Sequence, residues 1–146
     1  MADLAQLTYT EAVIKETMRL YPPSWMISRR TVEDVNLAGS LIPKGAAVFI
    51  SPYSLHRDVR WFNVPDQFLP ERFLGERVIE RCTYLPFSVG PRKCIGSAFA
   101  MMEITLILVT LMQTFNLERI GTNEIVPEAL ITLRPRDPVY MRVVSR

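Results

Sequence analysis

The run Phe87-Ser88-Val89-Gly90-Pro91-Arg92-Lys93-Cys94-Ile95-Gly96 sets one cysteine in a glycine-punctuated loop directly before a long apolar stretch. A thiol at the start of a helix can act as a thiolate, either a nucleophile or a metal ligand. The first helical amides have no intrahelical partners and can donate to sulfur, and the helix dipole favours negative charge there. Arg92 puts a fixed cation two residues before the sulfur, while Gly90 and Gly96 permit backbone angles or close approaches that a Cβ would block. The plain alternative is a buried structural cysteine, since free Cys is among the most buried residue types.

A second pair of charged residues lies on a helix. Thr8-Tyr9-Thr10-Glu11 has capping-box spacing, with Leu7 and Ala12 at staple positions, and Pro22-Pro23 forbids continuation, so a helix is predicted over Tyr9 to Leu20. Its inner stripe would be Tyr9, Ala12, Val13, Glu16 and Leu20. Glu16 and Arg19 share a face and can pair. An exposed pair would contribute a few tenths of a kcal/mol. A buried one, which the stripe favours, is costly unless each charge has further partners, so a third group is expected.

The remaining elements must hold these residues. Pro22 to Ile27 is extended or turning, and Ile27 to Val32 reads as a strand with Arg29 and Thr31 on one face and Arg30 on the other. Val35 to Leu37, Ala38-Gly39 and Leu41-Ile42 suggest a hairpin, followed by a turn at Pro43-Lys44-Gly45 and a strand Val48-Phe49-Ile50. His56 is the sole histidine. No Ser or Cys nucleophile with oxyanion-loop spacing accompanies it, so it reads as structural rather than as a catalytic base. From Asn63 to Pro86 there is little periodicity, which marks function or counts against a compact assignment. A helix apolar nearly all round follows, from about Ile95 to Leu117, as a helix buried among others would be. Leu130 to Leu133 with Val139 to Val144 reads as a closing hairpin around Pro135 to Pro138.

Composition narrows the classes. With 146 residues, 49% hydrophobic and 22% charged, the chain suffices for one domain with a core. A net charge of +2 with no basic-aromatic interleaving argues against nucleic acid. Two cysteines and one histidine cannot complete a protein-only four-ligand zinc site, and a Cys82 to Cys94 disulfide would consume the reactive thiol. Met1 to Leu7 has neither a basic nor a hydrophobic signal region, which leaves the cytoplasm as default location. The apolar run Ala98 to Met112 contains Glu103 and falls short of about 20 residues, so a buried helix is expected rather than a membrane span.

Phe-x-x-Gly-x-Arg-x-Cys-x-Gly, complete here as Phe87, Gly90, Arg92, Cys94 and Gly96, resembles the haem-binding loop of the cytochrome P-450 family. In that family the cysteine is the axial thiolate ligand of haem iron. Glu16-x-x-Arg19 resembles the family's helical pair, which an arginine of a Pro-Glu-Arg-Phe element joins; that element is Pro70-Glu71-Arg72-Phe73, making Arg72 the third member of a structural triad. Ser54-Leu55-His56-Arg57-Asp58 through Phe62 resembles the family's His-Arg-Asp segment, with Val59 where proline often stands. These elements occur in the family's order from about Leu7 to the C-terminus.

The resemblance implies an α+β fold, mainly helical with small β-sheets: a Glu-x-x-Arg helix, a meander over the aperiodic stretch, the Cys loop, a long buried helix and a C-terminal hairpin. Residues 1–146 would be the C-terminal haem-binding portion of such a protein, a partial domain. The implied cofactor is haem b, held by Cys94 with Arg92 and Arg29 on its propionates, Phe87 beside the sulfur and Gly96 in the cofactor-binding loop; Arg30 is the alternative propionate donor. Ser24, Met26, Ile27, Leu130 and Ile131 become substrate contacts, and their apolar members suggest a lipophilic substrate. An electron-donor protein, a flavoprotein reductase or a ferredoxin, would dock near Arg77, Arg81 and Lys93. The implied activity is that of a haem-thiolate monooxygenase, in which the thiolate pushes electron density onto iron and favours O–O cleavage. No catalytic residue separate from the haem ligand is expected in this chain. The family's distal helix and its proton relay have no room before Thr8, so weak haem binding and poor hydroxylation are expected of the isolated chain. Two other readings stay open: a non-catalytic haem-binding module, and a cysteine-nucleophile enzyme, against which Ala100 stands where the phosphatase-type Cys-x5-Arg spacing needs arginine.

Overall fold

A computed structural model describes residues 6–75 and 82–146. Helix α1 (Thr8–Leu20) starts one residue earlier than its capping pattern suggests, so Thr8 is already helical and no side chain caps the end. The Glu11 amide instead closes the first turn on the Leu7 carbonyl at 2.9 Å. Pro22 and Pro23 then stop the helix, the last bond running from the Tyr21 amide to the Thr17 carbonyl. The buried positions are Ala12, Ile14, Glu16, Arg19 and Leu20, and Tyr9 is exposed. This differs from the single stripe read from the sequence because α1 is enclosed from several sides, by the 3-10 turn Pro70–Phe73, by α2 (Pro52–Leu55) and by α3 (Ser97–Thr114).

Among the described residues the strands form four two-stranded antiparallel ladders. β1 (Ile27–Arg30) pairs with β4 (Ala47–Ile50), and β2 (Val35–Leu37) with β3 (Ser40–Ile42) across Ala38-Gly39. Both turn residues have positive φ, +49° and +85°, the geometry that matches the twist of a two-residue hairpin.

α3 is shorter than the apolar pattern predicts. It covers Ser97–Thr114, and Phe115 already belongs to β5 (Phe115–Arg119), which pairs with β8 (Met141–Ser145). Local periodicity could not show this, because the ladder to a distant strand decides where the helix ends. The expected closing hairpin is likewise redistributed. β6 (Pro127–Ala129) pairs with β7 (Leu133–Pro135), which leaves Leu130 to Thr132 as the turn, and β8 crosses to β5.

The expectation that α3 is buried is not met within this chain. Thr105 is its one buried residue, while Phe99, Ile104, Leu106, Ile107 and Leu111 are exposed. Its hydrophobicity is nearly uniform around the axis, so one face can meet α1 while the others stay uncovered. By length and composition the helix is long and apolar enough to cross a membrane, although core helices of soluble proteins satisfy the same criteria.

Candidate functional site

The centre of the chain is a buried polar clamp. Glu16 and Arg19 are each fully buried and joined twice, Nε to Oε2 at 2.7 Å and a terminal guanidinium nitrogen to Oε1 at 2.8 Å. Arg72 adds a third charge, its Nε 3.3 Å from Oε1, and the Leu69 amide donates to the same oxygen at 2.9 Å. Arg19 spends its other donors on the carbonyls of His56 at 2.7 Å and Gln67 at 3.1 Å, with its guanidinium 5.2 Å from the Phe62 ring centre. The three residues proposed as a triad thus meet, and the clamp ties α1 to the chain on both sides of Phe62. Burial pushes the Glu16 carboxyl up, but the Arg19 hydrogen bond, the Leu69 amide and the two cations outweigh it and hold the group below its ordinary value.

His56 is fully buried. The Leu85 amide donates to Nε2 at 2.7 Å, which makes Nε2 an acceptor and places the ring proton on Nδ1, 3.2 Å from the Arg19 carbonyl. Burial, opposed by that hydrogen bond and reinforced by the Arg19 and Arg57 cations, lowers its pKa to about 4. Both nitrogens are engaged, so the one imidazole of the chain is not free to serve as a base for Cys94. Tyr84 stacks against it with ring centres 5.2 Å apart and donates to the Lys15 carbonyl at 2.9 Å; burial raises the Tyr84 phenol above its usual range.

From this clamp the chain enters the cysteine loop. The Ser88 amide returns to the Leu85 carbonyl, Gly90–Arg92 forms one 3-10 turn, and the Cys94 amide closes the loop on the Phe87 carbonyl at 2.9 Å. Ser88 and Gly90 take positive φ, +60° and +74°, so two left-handed residues bend the loop. Gly90→Ala puts a Cβ on one of them and is expected to cost about 1–2 kcal/mol in urea unfolding.

Cys94 lies ahead of α3 rather than opening it: Gly96 is the N-cap and the first helical residue is Ser97. A Cβ on Gly96 would stand 3.9 Å from Sγ, an ordinary contact, so nothing in the chain itself forbids a larger residue there. Cys94 is exposed.

The sulfur-bearing loop forms one side of a groove of about 550 Å³ whose other side is the segment from Pro23 to Arg29. Cys94, Arg92 and Phe87 meet Ser24, Met26, Ile27 and Arg29 there. Arg30, the alternative to Arg29, turns away and donates to the Gly45 carbonyl at 3.3 Å. Met18 and Pro86, not singled out from the sequence, complete the wall. Met18 could not be found from helical spacing, since its exposure depends on where the Cys loop crosses α1.

Leu130 and Ile131 lie outside this groove at the tip of the β6–β7 hairpin, with Ile131 98% exposed. Trp25 Nε1 donates to the Leu130 carbonyl at 2.8 Å and fastens that hairpin to the segment leading into β1. Lys93 faces a different groove, with Glu11, Lys15 and Met101. Arg77 and Arg81, the other members of the expected basic patch, lie outside the described residues.

A flat apolar macrocycle with two carboxylates needs apolar walls, cations for the carboxylates and a ligand atom facing it. The groove offers Phe87, Pro86, Met26 and Ile27, then Arg29 and Arg92, then the Cys94 thiol. Among the described residues no group of three or more His, Cys, Asp or Glu could hold a metal ion. One thiol, two arginines and apolar walls suit a metal that brings its own ring.

Comparison with known proteins points to one family. The family model described as Cytochrome P450 matches residues 1–142. Cyclooctatin synthase of Streptomyces melanosporofaciens is 43% identical over 90% of this chain and 29% of its own length. Cytochrome P450 4V2 of Homo sapiens is 42% identical over 99% of this chain and 28% of its own, and cytochrome P450 4p1 of Drosophila melanogaster is 40% identical over 100% and 29%. The chain thus spans less than a third of the length of these relatives. The extent of these matches, together with the cysteine loop and the buried Glu16–Arg19–Arg72 clamp, shows that the chain belongs to the cytochrome P450 family, whose cofactor is haem b.

Proposed function

We propose that this chain is the C-terminal, haem-binding portion of a haem-thiolate monooxygenase acting on a lipophilic organic substrate. One observation carries the reading: a single groove joins Cys94 and Arg92 to Arg29, Met26 and Ile27, residues from well-separated parts of the chain. When bound, haem supplies the activation of O2, with two electrons from a donor protein, one oxygen atom entering the substrate and the other leaving as water.

The chain's own residues do the rest. Cys94 holds the metal as thiolate, and Arg92 two residues earlier keeps positive charge near that anion. Arg29 and Arg92 both line the groove and suit the two propionates as charge-assisted pairs. Phe87, whose carbonyl is pinned by the Cys94 amide, covers the sulfur side and limits water. Ser24, Met26 and Ile27 form the wall available to substrate, and their mainly apolar character selects a lipophilic molecule. Lys93, on the outer side of the loop, is a contact for an acidic electron donor.

The test adds haem to the purified chain, reduces it under carbon monoxide and records the difference spectrum for wild type and Cys94→Ala. The red-shifted Soret band of thiolate-ligated haem is expected in wild type and absent in the variant, with unfolding by urea changed little. A band of equal height in Cys94→Ala would exclude the assignment.

A further inference from the structure

We infer that His56 is a positioning residue for the Cys94 loop, acting through the Leu85 amide; the inference rests on Cys94 as the haem ligand. The notable feature is not that the imidazole is buried but where its two nitrogens lead. Nδ1 donates to the Arg19 carbonyl at 3.2 Å, at the charged end of α1, and Nε2 accepts from the Leu85 amide at 2.7 Å. Arg19 returns a guanidinium bond to the His56 carbonyl at 2.7 Å, so the histidine is held from both its ring and its backbone.

On the other side, Leu85 is the anchor of the loop. Its side chain is buried, its carbonyl accepts from the Ser88 amide, and two residues on Phe87 accepts the Cys94 amide. The chain of contacts runs Glu16, Arg19, His56, Leu85, Phe87, Cys94. Each link is a hydrogen bond or a step of backbone, and Ser88 and Gly90 in left-handed conformations make the loop dependent on a fixed origin.

The same ring is wedged by Tyr84 at 5.2 Å and Phe62 at 6.4 Å, which leaves it one orientation. The charged or titratable groups around it among the described residues are Arg19 from α1, Arg57 beside it and Tyr84 from the segment before the loop. Among the described residues no acid pairs with the ring nitrogens, and the Leu85 amide donates to Nε2, so a neutral imidazole with Nε2 as acceptor is the form that fits. A side chain that fills the space without an acceptor leaves the Leu85 amide buried and unpaired. Such a change releases the loop rather than α1.

Two variants separate positioning from bulk stability. His56→Leu removes both ring nitrogens, and His56→Gln keeps an acceptor reaching toward the Leu85 amide. Amide hydrogen exchange on the chain without haem is the first readout. In His56→Leu the Leu85, Ser88 and Cys94 amides are expected to exchange about tenfold faster or more, beyond any common factor seen for Ile14 to Leu20, and His56→Gln restores most of that protection. The second readout is the fraction of thiolate-type Soret band after haem and carbon monoxide are added, lower in His56→Leu and recovered in His56→Gln.

Equal acceleration of loop and helix amides, or none, would overturn the inference and leave His56 as ordinary core. Loop-selective acceleration that His56→Gln fails to reverse would also overturn it, since packing rather than the acceptor would then hold Leu85. If wild type itself lacks the thiolate band, the ligand assignment fails, and the exchange arm still decides whether His56 fixes the loop.

Discussion

Arg19→Ala is expected to destabilise the chain by about 3–5 kcal/mol, because it leaves the Glu16 carboxylate buried beside a vacated cation site. Both side chains are fully buried, and Arg19 makes four hydrogen bonds, two to Glu16 and one each to the carbonyls of His56 and Gln67. Arg72 is the weaker partner. It meets Glu16 once, at 3.3 Å, keeps 11% of its side-chain surface, and shares its guanidinium with the Val64 carbonyl. Arg72→Ala is accordingly expected to cost about 1–2 kcal/mol. Urea unfolding of wild type, both variants and the double variant checks the order. A double-mutant cycle should show coupling, since both arginines address one carboxylate oxygen pair. Equal losses for the two single variants would mean that the clamp is not organised around Arg19.

Stability is expected to fall as pH drops from 6.5 to 4, with His56 as the cause. Its folded pKa is about 4 against an ordinary 6.5, so in this window the unfolded chain binds a proton that the folded chain refuses. The contribution is fully present above 6.5 and is lost progressively down to 4, and the gap corresponds to about 3 kcal/mol. Below 4.5 Glu16 adds a second loss of the same sign, because its folded carboxyl is held below that ordinary value and its stabilisation disappears on protonation. Urea midpoints measured from pH 7.5 to 3.5 should show both limbs. His56→Gln should flatten the upper limb and keep the lower one. A wild-type curve flat between 6.5 and 4 would remove His56 as the acid-sensitive group.

The local chemistry of the chain is legible in its sequence. Pro22-Pro23 ends α1, Ala38-Gly39 sets the β2–β3 register, and Phe87 to Gly96 gives the cysteine loop, because prolines, glycines and a short loop act on their own neighbourhood. Glu16, Arg19 and the need for a third charge also follow from residue types on one helix, and Arg72 meets them 3.3 Å from Glu16.

Other features depended on residues far apart in the chain. The end of α3 at Thr114 and the pairing of β8 with β5 rather than with the segment around Leu130 are decisions of long-range ladders. So is the choice between Arg29 and Arg30, which alternate along one strand and are told apart by which face meets the Cys94 loop. The link from His56 to Leu85 carries no local signal at all, since a lone histidine in a sequence does not reveal which amide its ring will receive. Sequence by itself determined the thiol, the charges and the loop that carries them. Tertiary structure alone decided which of these share a groove and which buried group anchors the loop, because those are contacts that chain-local sterics and periodicity cannot encode.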